Sequence, residues 1–219
     1  AGRELSRLTA ADIGYAIGPR LNAAGRLEDM SIGIECLLTD DAARARELAQ
    51  LLDRINAERR GVQQTMVDEA EAALTGRALD SVVSAGDPAV VLFDPEWHPG
   101  VVGLVASKLK DRLHRPVVAF APAEPGSRQL RGSARSIPGF HIRDALAAVD
   151  AARPGLISRF GGHAMAAGLS LDLDALADFE QAFRAHAAGA LDAALLQAVI
   201  DSDGELAAHE FDHAHAQAL

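Results

Sequence analysis

Three consecutive stretches near the middle of the chain leave few architectures open. Residues 89–93 (AVVLF) are short, apolar and β-branched, as expected of a strand buried on both sides. Residues 101–113 then place Val101, Leu104, Val105, Leu109 and Leu113 on one helical face, with Lys108 and Asp111 off it. Residues 116–121 (PVVAFA) form a second apolar run. Strand, helix and strand within 33 residues make a crossover unit, so the two strands are expected to be parallel and the fold α/β. Further strands are expected at 130–136 and 168–171, with helices at 142–149, 156–160 and 176–187. An alanine-rich tail from 189 holds a possible strand at 198–200.

The N-terminal part reads differently. A helix is expected at 10–17, and then Gly18-Pro19 interrupts. Arg20, Asn22 and Arg26 follow among small residues, and Asn22 and Gly25 argue for a loop rather than a plain helix. Residues 31–38 are a short apolar piece, helical or extended. Thr39 followed by Asp40-Asp41 is the expected N-cap of a long helix, with acids suiting its dipole. Leu48, Leu51, Leu52, Ile55, Val62, Met66, Ala70 and Leu74 keep three-to-four spacing, and Gly76 supplies a stop. About 35 residues at ~1.5 Å each span roughly 50 Å, unless Gly61 kinks or divides the helix. A helix of that length in a chain this short is expected to bridge two bodies. The division that follows is 1–40 as the end of a first domain, 41–76 as connecting helix, 77–190 as a substrate-binding domain, and 191–219 as a tail or the start of another.

Charge narrows the ligand. The net charge is −10, which argues against a protein that simply coats nucleic acid. Yet residues 108–159 hold ten basic side chains (Lys108, Lys110, Arg112, Arg115, Arg128, Arg131, Arg135, Arg143, Arg153, Arg159) against four acidic ones, a local excess of +6. Such an island suggests an anionic ligand. With two lysines in the whole chain, a general preference for arginine explains it equally well. Cys36 is the one cysteine, beside Leu37 and Leu38, and is expected to be a small core residue in a reducing compartment. No run of about 18 apolar residues occurs, and the first residues carry no secretory signal, so no membrane partner and a cytoplasmic location are expected. The absence of an initial Met suggests a piece of a longer protein.

Two places carry chemistry. On a strand, Ser133 and Arg135 share a face, and a hydroxyl beside a planar guanidinium suits a phosphate. The segment Gly161-Gly162-His163 can bring backbone and an imidazole close to an anion, or can simply be a tight connection. Trp97 is expected to be a core anchor, with His98 more open at the carboxyl end of a strand and a helix N-terminus. Asp212-His213-Ala214-His215, with His209 nearby, superficially offers metal ligands, but His-x-His converges only on a strand and a flexible tail is the better reading. There is no cluster of carboxylates and histidines of the kind a two-metal hydrolase needs.

Taken together, GPRLNAAGRL (18–27), WHPGVVGLVASKL (97–109), GSARS (132–136) and GGHAMAAGL (161–169) resemble, in order and spacing, the RecJ-type single-strand-specific 5′→3′ exonucleases of the DHH/DHHA1 phosphoesterase superfamily. The resemblance covers roughly residues 10–190. It implies a DHHA1-type mixed sheet flanked by helices and preceded by a long connecting helix. It also implies that Mn²⁺ or Mg²⁺ is bound by an N-terminal DHH domain whose motifs this sequence lacks. No metal is then expected on this chain, and the chain alone is expected to be inactive. The implied partner is single-stranded DNA running between the domains, with single-strand-binding protein or a helicase as protein partners in DNA repair and recombination.

Carried over residue by residue, Ser133 and Arg135, with Ser136, would bind a substrate phosphate, plausibly the 5′-terminal one. Arg20, Asn22 and Arg26 would line the groove, with His98 also on the substrate side. His163, on the Gly161-Gly162 loop, would assist the catalytic centre. Two alternatives stay open. One is an oligoribonuclease or cyclic-dinucleotide phosphodiesterase of the same superfamily, which the segment 18–27 and the long helix disfavour. The other is a non-catalytic module like the related domain of alanyl-tRNA synthetases.

Overall fold

A computed structural model describes residues 4–76, 87–202 and 204–218. Its centre is one sheet in the order β1-β2-β3-β5-β4, formed by β1 (Val90–Phe93), β2 (Val117–Pro122), β3 (Gln129–Arg135), β4 (Arg159–Gly162) and β5 (Ala166–Asp172). Strands β1 and β2 are parallel and all other pairings antiparallel, so the sheet is mixed. The parallel pair is the one that the 89–121 spacing requires.

Before the sheet come α1 (Ala10–Asp12), a π-helical stretch Ile13–Ile17, α2 (Gly18–Leu27), α3 (Ser31–Leu38) and α4 (Ala42–Gly76). Helix α5 (Val102–Leu113) crosses between β1 and β2, α6 (Ile142–Ala152) lies between β3 and β4, and α7 (Leu176–Ala190) follows β5. A last short helix, α8, spans His213–Ala218.

The sheet separates two cores. On one face α6 and α7 bury Phe120, Leu130, Leu146, Leu171, Phe179 and Phe183, with Phe120 and Phe179 edge to face at 5.4 Å. On the other, α5 packs over β2 and β3 and joins Met66, Val67 and Ala70 of α4 in a second core with Val90, Val117 and Ala119. Trp97 is 5% exposed there and donates its indole N–H to Glu69 at 3.0 Å. This second face is covered by helices over β1 to β3, and the face of β5 and β4 beyond them forms the floor of a cleft.

Several sequence expectations change. Residues 18–27 are helical, because Ala23 and Ala24 are fully buried against α4 and that packing outweighs the weak propensities of Asn22 and Gly25. Pro19 is tolerated because it lies in the first turn. The cap of α4 is Asp41 rather than Thr39: its carboxylate accepts from the N–H of Ala43 at 2.8 Å and of Arg44 at 3.3 Å. Gly61 neither divides nor ends α4, since it faces open space. Residues 156–160 are not a helix. Ser158 N–H bonds the Ser170 carbonyl at 2.9 Å and leads into β4, showing how a segment of five residues with three apolar ones is too short to fix its period. Residues 198–200 pair with no strand, and Val199 and Ile200 are exposed. Asp212 and the two histidines after it stand at the start of a helix, not on a strand.

Candidate nucleic-acid interface

Register builds the cleft floor. Arg131 of β3 lies opposite Ser170 of β5, which lies opposite Arg159 of β4. Two residues along, Ser133 lies opposite Gly168, and Gly168 opposite Gly161. Another step brings Arg135 opposite Ala166. With period two these rows share one face. The floor therefore has arginines at both ends and bare backbone between. A Cβ on Gly161 would meet nothing within 4 Å, and one on Gly168 only the Gly132 carbonyl at 3.9 Å. The opposite wall is the turn at Pro99-Gly100 and the first residues of α5, Val102 and Gly103, and Arg26 closes the end. The cleft encloses about 600 Å³, and no Asp or Glu lines it.

Arg135 is held from both sides. Its Nε donates to Ser107 Oγ at 3.0 Å, and its Nη1 donates to Ser133 Oγ and to the Ala134 carbonyl, each at 2.9 Å. Ser107 in turn donates to the Gly103 carbonyl at 2.9 Å. Gly103 allows this closeness, since a Cβ there would stand 2.9 Å from both Arg135 Nη2 and Ser133 Oγ. With Nε and Nη1 engaged, Nη2 is the end left facing the first turn of α5, where N–H groups lack intrahelical acceptors. Ser133, accepting from Arg135, keeps its own proton to donate. That set of donors suits a phosphate oxygen.

Arg26 donates to the Gly100 carbonyl at 3.2 Å, so α2 reaches the same turn. Burial, and then the Arg26 charge, hold the Arg135 guanidinium below its ordinary pKa. Arginine stays protonated at any ordinary pH, so the cleft confines positive charge that none of its lining residues neutralises. Among the described residues no carboxylate pairs with Arg26, Arg131, Arg135 or Arg159.

The basic island is thus not one surface. Arg128 pairs with Asp172 and Asp174, Arg143 with Asp144, Arg153 with Asp178, and Lys110 with Asp111. Arg115 braces the carbonyls of Asp87, His114 and Leu196. Of the ten, Arg131, Arg135 and Arg159 line the cleft.

Among the residues singled out from sequence, the structure gathers Arg26, Ser133, Arg135 and Gly161. It does not gather the others. Arg20 bonds Asp53 at 2.7 Å and the Ala16 carbonyl at 2.6 Å, at the α2–α4 contact, and thereby holds the Asp53 carboxyl below the usual range. Asn22 is exposed on α2 away from the cleft. His98 accepts from the Gly100 N–H at 3.1 Å and borders a smaller neighbouring cavity. Ser136 is 1% exposed and donates to the Phe140 carbonyl at 2.5 Å, so it braces a loop. Gly162 faces the core side at φ 152°, where a Cβ would stand 2.4 Å from the Ala166 carbonyl, so its glycine is conformational. His163 is exposed at the β4–β5 turn, its N–H bonding Ala166 at 2.8 Å, and does not line the cleft.

Sequence reasoning counted Arg131 and Arg159 as charge but not as site, and passed over Gly103 and Ser107. Period two from Ser133 would have reached Arg131. Nothing local marks Ser107, whose role depends on α5 crossing β3. Ser107→Ala is expected to leave the fold intact and to weaken binding of a 5′-phosphorylated oligonucleotide roughly five-fold, the loss of about 1 kcal/mol of positioning. Unchanged affinity in a fluorescence titration would remove Ser107 from the site.

Residues 86–189 match the family model of the DHHA1 domain. The single-stranded-DNA-specific exonuclease RecJ of Dickeya dadantii is 48% identical over the whole chain, which spans 37% of that relative's length. Crystal structures of RecJ from Thermus thermophilus in complex with Mg²⁺ and with Mn²⁺ superpose at a TM-score of 0.68 with 34% identity. They cover 83% and 84% of this chain and 26% and 25% of theirs. The mixed sheet, the long helix before it and the matched sequence together match this chain to the part of the RecJ exonucleases that carries the DHHA1 domain.

Proposed function

We propose that this chain is the substrate-binding part of a single-stranded-DNA-specific 5′→3′ exonuclease, and that its cleft takes a strand's terminal 5′-phosphate. The observation that supports this most is the convergence of Arg26, Arg131, Arg135 and Arg159 from three segments, α2, β3 and β4, with no carboxylate among them. Arg135 and Ser133 bind the phosphate, the first turn of α5 faces it, and the bare floor at Gly161 and Gly168 lets the sugar lie close to the backbone. In this reading Arg20 and Asn22 line the groove outside the cleft, and His163, exposed at the β4–β5 turn, assists the catalytic centre.

The cleft donors are guanidiniums and a hydroxyl, which bind anions and do not fit Mg²⁺ or Mn²⁺. Among the described residues no three His, Cys, Asp or Glu converge on a metal position. In this reading the metal-assisted cleavage is assigned to portions of the relatives outside the aligned third, and this chain's residues orient the strand for it. No helix among the described residues is long and apolar enough to cross a membrane.

The test is a titration of labelled single strands, 5′-phosphorylated and 5′-hydroxyl, at several salt concentrations. Preference for the phosphorylated end is expected, with log affinity falling against log salt at a slope of about −2, since each phosphate contact contributes roughly −0.7. No binding at low salt would overturn the assignment. Cleavage by the purified chain with Mn²⁺ would overturn the division of labour.

A further inference from the structure

Beside the cleft, the long helix carries an arginine whose surroundings the terminal-phosphate reading does not use. Arg59 is half-buried on α4. Its Nη1 donates to Gln63 Oε1 at 2.8 Å and its Nη2 to Asn56 Oδ1 at 3.3 Å, while its Nε is buried and has no hydrogen-bond partner. Asn56 is 3% exposed, so a neutral amide has been buried to hold a cation. Ordinarily a half-buried guanidinium is matched by a carboxylate, but among the described residues no carboxylate forms an ion pair with Arg59. Of the acids on α4, Asp53 bonds Arg20, Asp68 bonds Gln64 and Glu69 bonds Trp97.

Arg59 also sits among other cations. Leu27, next to Arg26, and Val62, three residues on from Arg59, both rest on the same core formed by α5 and α4. Burial, then the charges of Arg26 and Arg60, hold the Arg59 guanidinium below its ordinary pKa. Arg26 acts in the same way on Arg135. Arg26, which donates to the Gly100 carbonyl at the cleft wall, thus places its charge near both Arg59 and Arg135. Two amides fix Arg59 while leaving one hydrogen on each Nη uncommitted.

We propose that Arg59, oriented by Asn56 and Gln63 and joined by Arg26, is a second phosphate subsite. It takes an internal phosphodiester of the strand whose 5′ end lies in the Arg135 clamp. The proposal rests on the single-strand reading above and adds a direction to it: the strand leaves the clamp past Arg26 toward α4. A like-charged group with no acid is what successive phosphates neutralise, and neutral amide braces keep the guanidinium available in a way a carboxylate would not.

The probe is a 5′-phosphorylated oligothymidylate of about ten nucleotides, titrated into the chain across a salt series. Arg59→Gln is expected to bind it five- to ten-fold more weakly at low salt, with the salt slope shallower by about 0.7, the loss of one phosphate contact. Arg59→Lys, which keeps the charge, should retain the slope. An unchanged slope in Arg59→Gln overturns the subsite, and so does a lowered thermal midpoint with the slope unchanged, which would make Arg59 a brace of α4 alone. Arg135→Ala separates the two claims. If it loses affinity while Arg59→Gln does not, only the second subsite falls. If the parent chain itself does not bind, the single-strand reading falls and this one with it.

Discussion

Arg135→Ala should weaken binding of a 5′-phosphorylated single strand by about 30- to 150-fold and abolish the preference over a 5′-hydroxyl strand. Hydrogen bonds to charged groups contribute roughly 1.5–3 kcal/mol each, and the Nη2 end aimed at the α5 terminus can give a phosphate two. Part of that gain is offset because the free cleft loses an unfavourable charge. A net of about 2–3 kcal/mol remains, which is the quoted fold-change. The charge also carries a cost in stability. Burial and Arg26 depress the Arg135 pKa, so folding disfavours its charged form. Arginine remains protonated throughout the accessible range, so this cost is constant with pH, and it is set against the three hydrogen bonds that Arg135 donates to Ser107, Ser133 and the Ala134 carbonyl. Inorganic phosphate at a hundred times the parent's dissociation constant should stabilise the parent by about 2.7 kcal/mol and Arg135→Ala, at the same concentration, by less than about 1 kcal/mol. Arg135→Lys should recover little, because a single ammonium cannot replace bonds to Ser107 and Ser133 made from two different nitrogens. Equal affinities for parent and Arg135→Ala would remove the clamp from the site.

What could be read in advance divides by the range of the interaction. The β1–α5–β2 crossover was legible because strand length, helical period and spacing are local. So was the pairing of Ser133 with Arg135 on one face, which needs only the strand period. The helical state of residues 18–27 was not, because it depends on Ala23 and Ala24 being buried by α4, a separate helix further along the chain. Nor was the sorting of the basic island. Arg128 and Arg153 looked like Arg131 and Arg159 until the partners Asp174 and Asp178 were brought against the first two by the segments after β5. Ser136 and Gly162 were drawn into the site by their neighbours in sequence. Strand alternation in fact turns Gly162 to the core side, and the Phe140 loop takes the Ser136 hydroxyl. His163 belongs to neither group: the structure puts it on a turn outside the cleft, and its catalytic role stays part of the proposal.

Gly100→Ala should be among the most damaging small substitutions in the chain. A Cβ at this position would stand 2.0 Å from the Arg26 carbonyl oxygen and 3.0 Å from its carbon. Both neighbours are backbone, so no side-chain rotation relieves the clash, and either the 98–101 turn or the end of α2 has to move. Overpacking of this kind costs typically 1–3 kcal/mol and sometimes more, and the two nearest atoms being backbone places Gly100 at the upper end. For a chain of this length about 3 kcal/mol corresponds to a fall in thermal midpoint of roughly 6–12 °C. Movement of α2 also breaks the bond from Arg26 to the Gly100 carbonyl, so the surviving folded fraction should bind single strands more weakly than its stability explains. The same substitution at Gly61 supplies the contrast. There a Cβ meets nothing within 4 Å, on the exposed side of α4, and alanine should raise stability by about 0.5–1 kcal/mol through helix propensity alone. Opposite signs for one change at two glycines, read by thermal unfolding, would show that Gly100 is required by the approach of α2 to the cleft wall. Equal signs would mean that Arg26 is not held against that wall, and the cleft would lose the residue that closes its end.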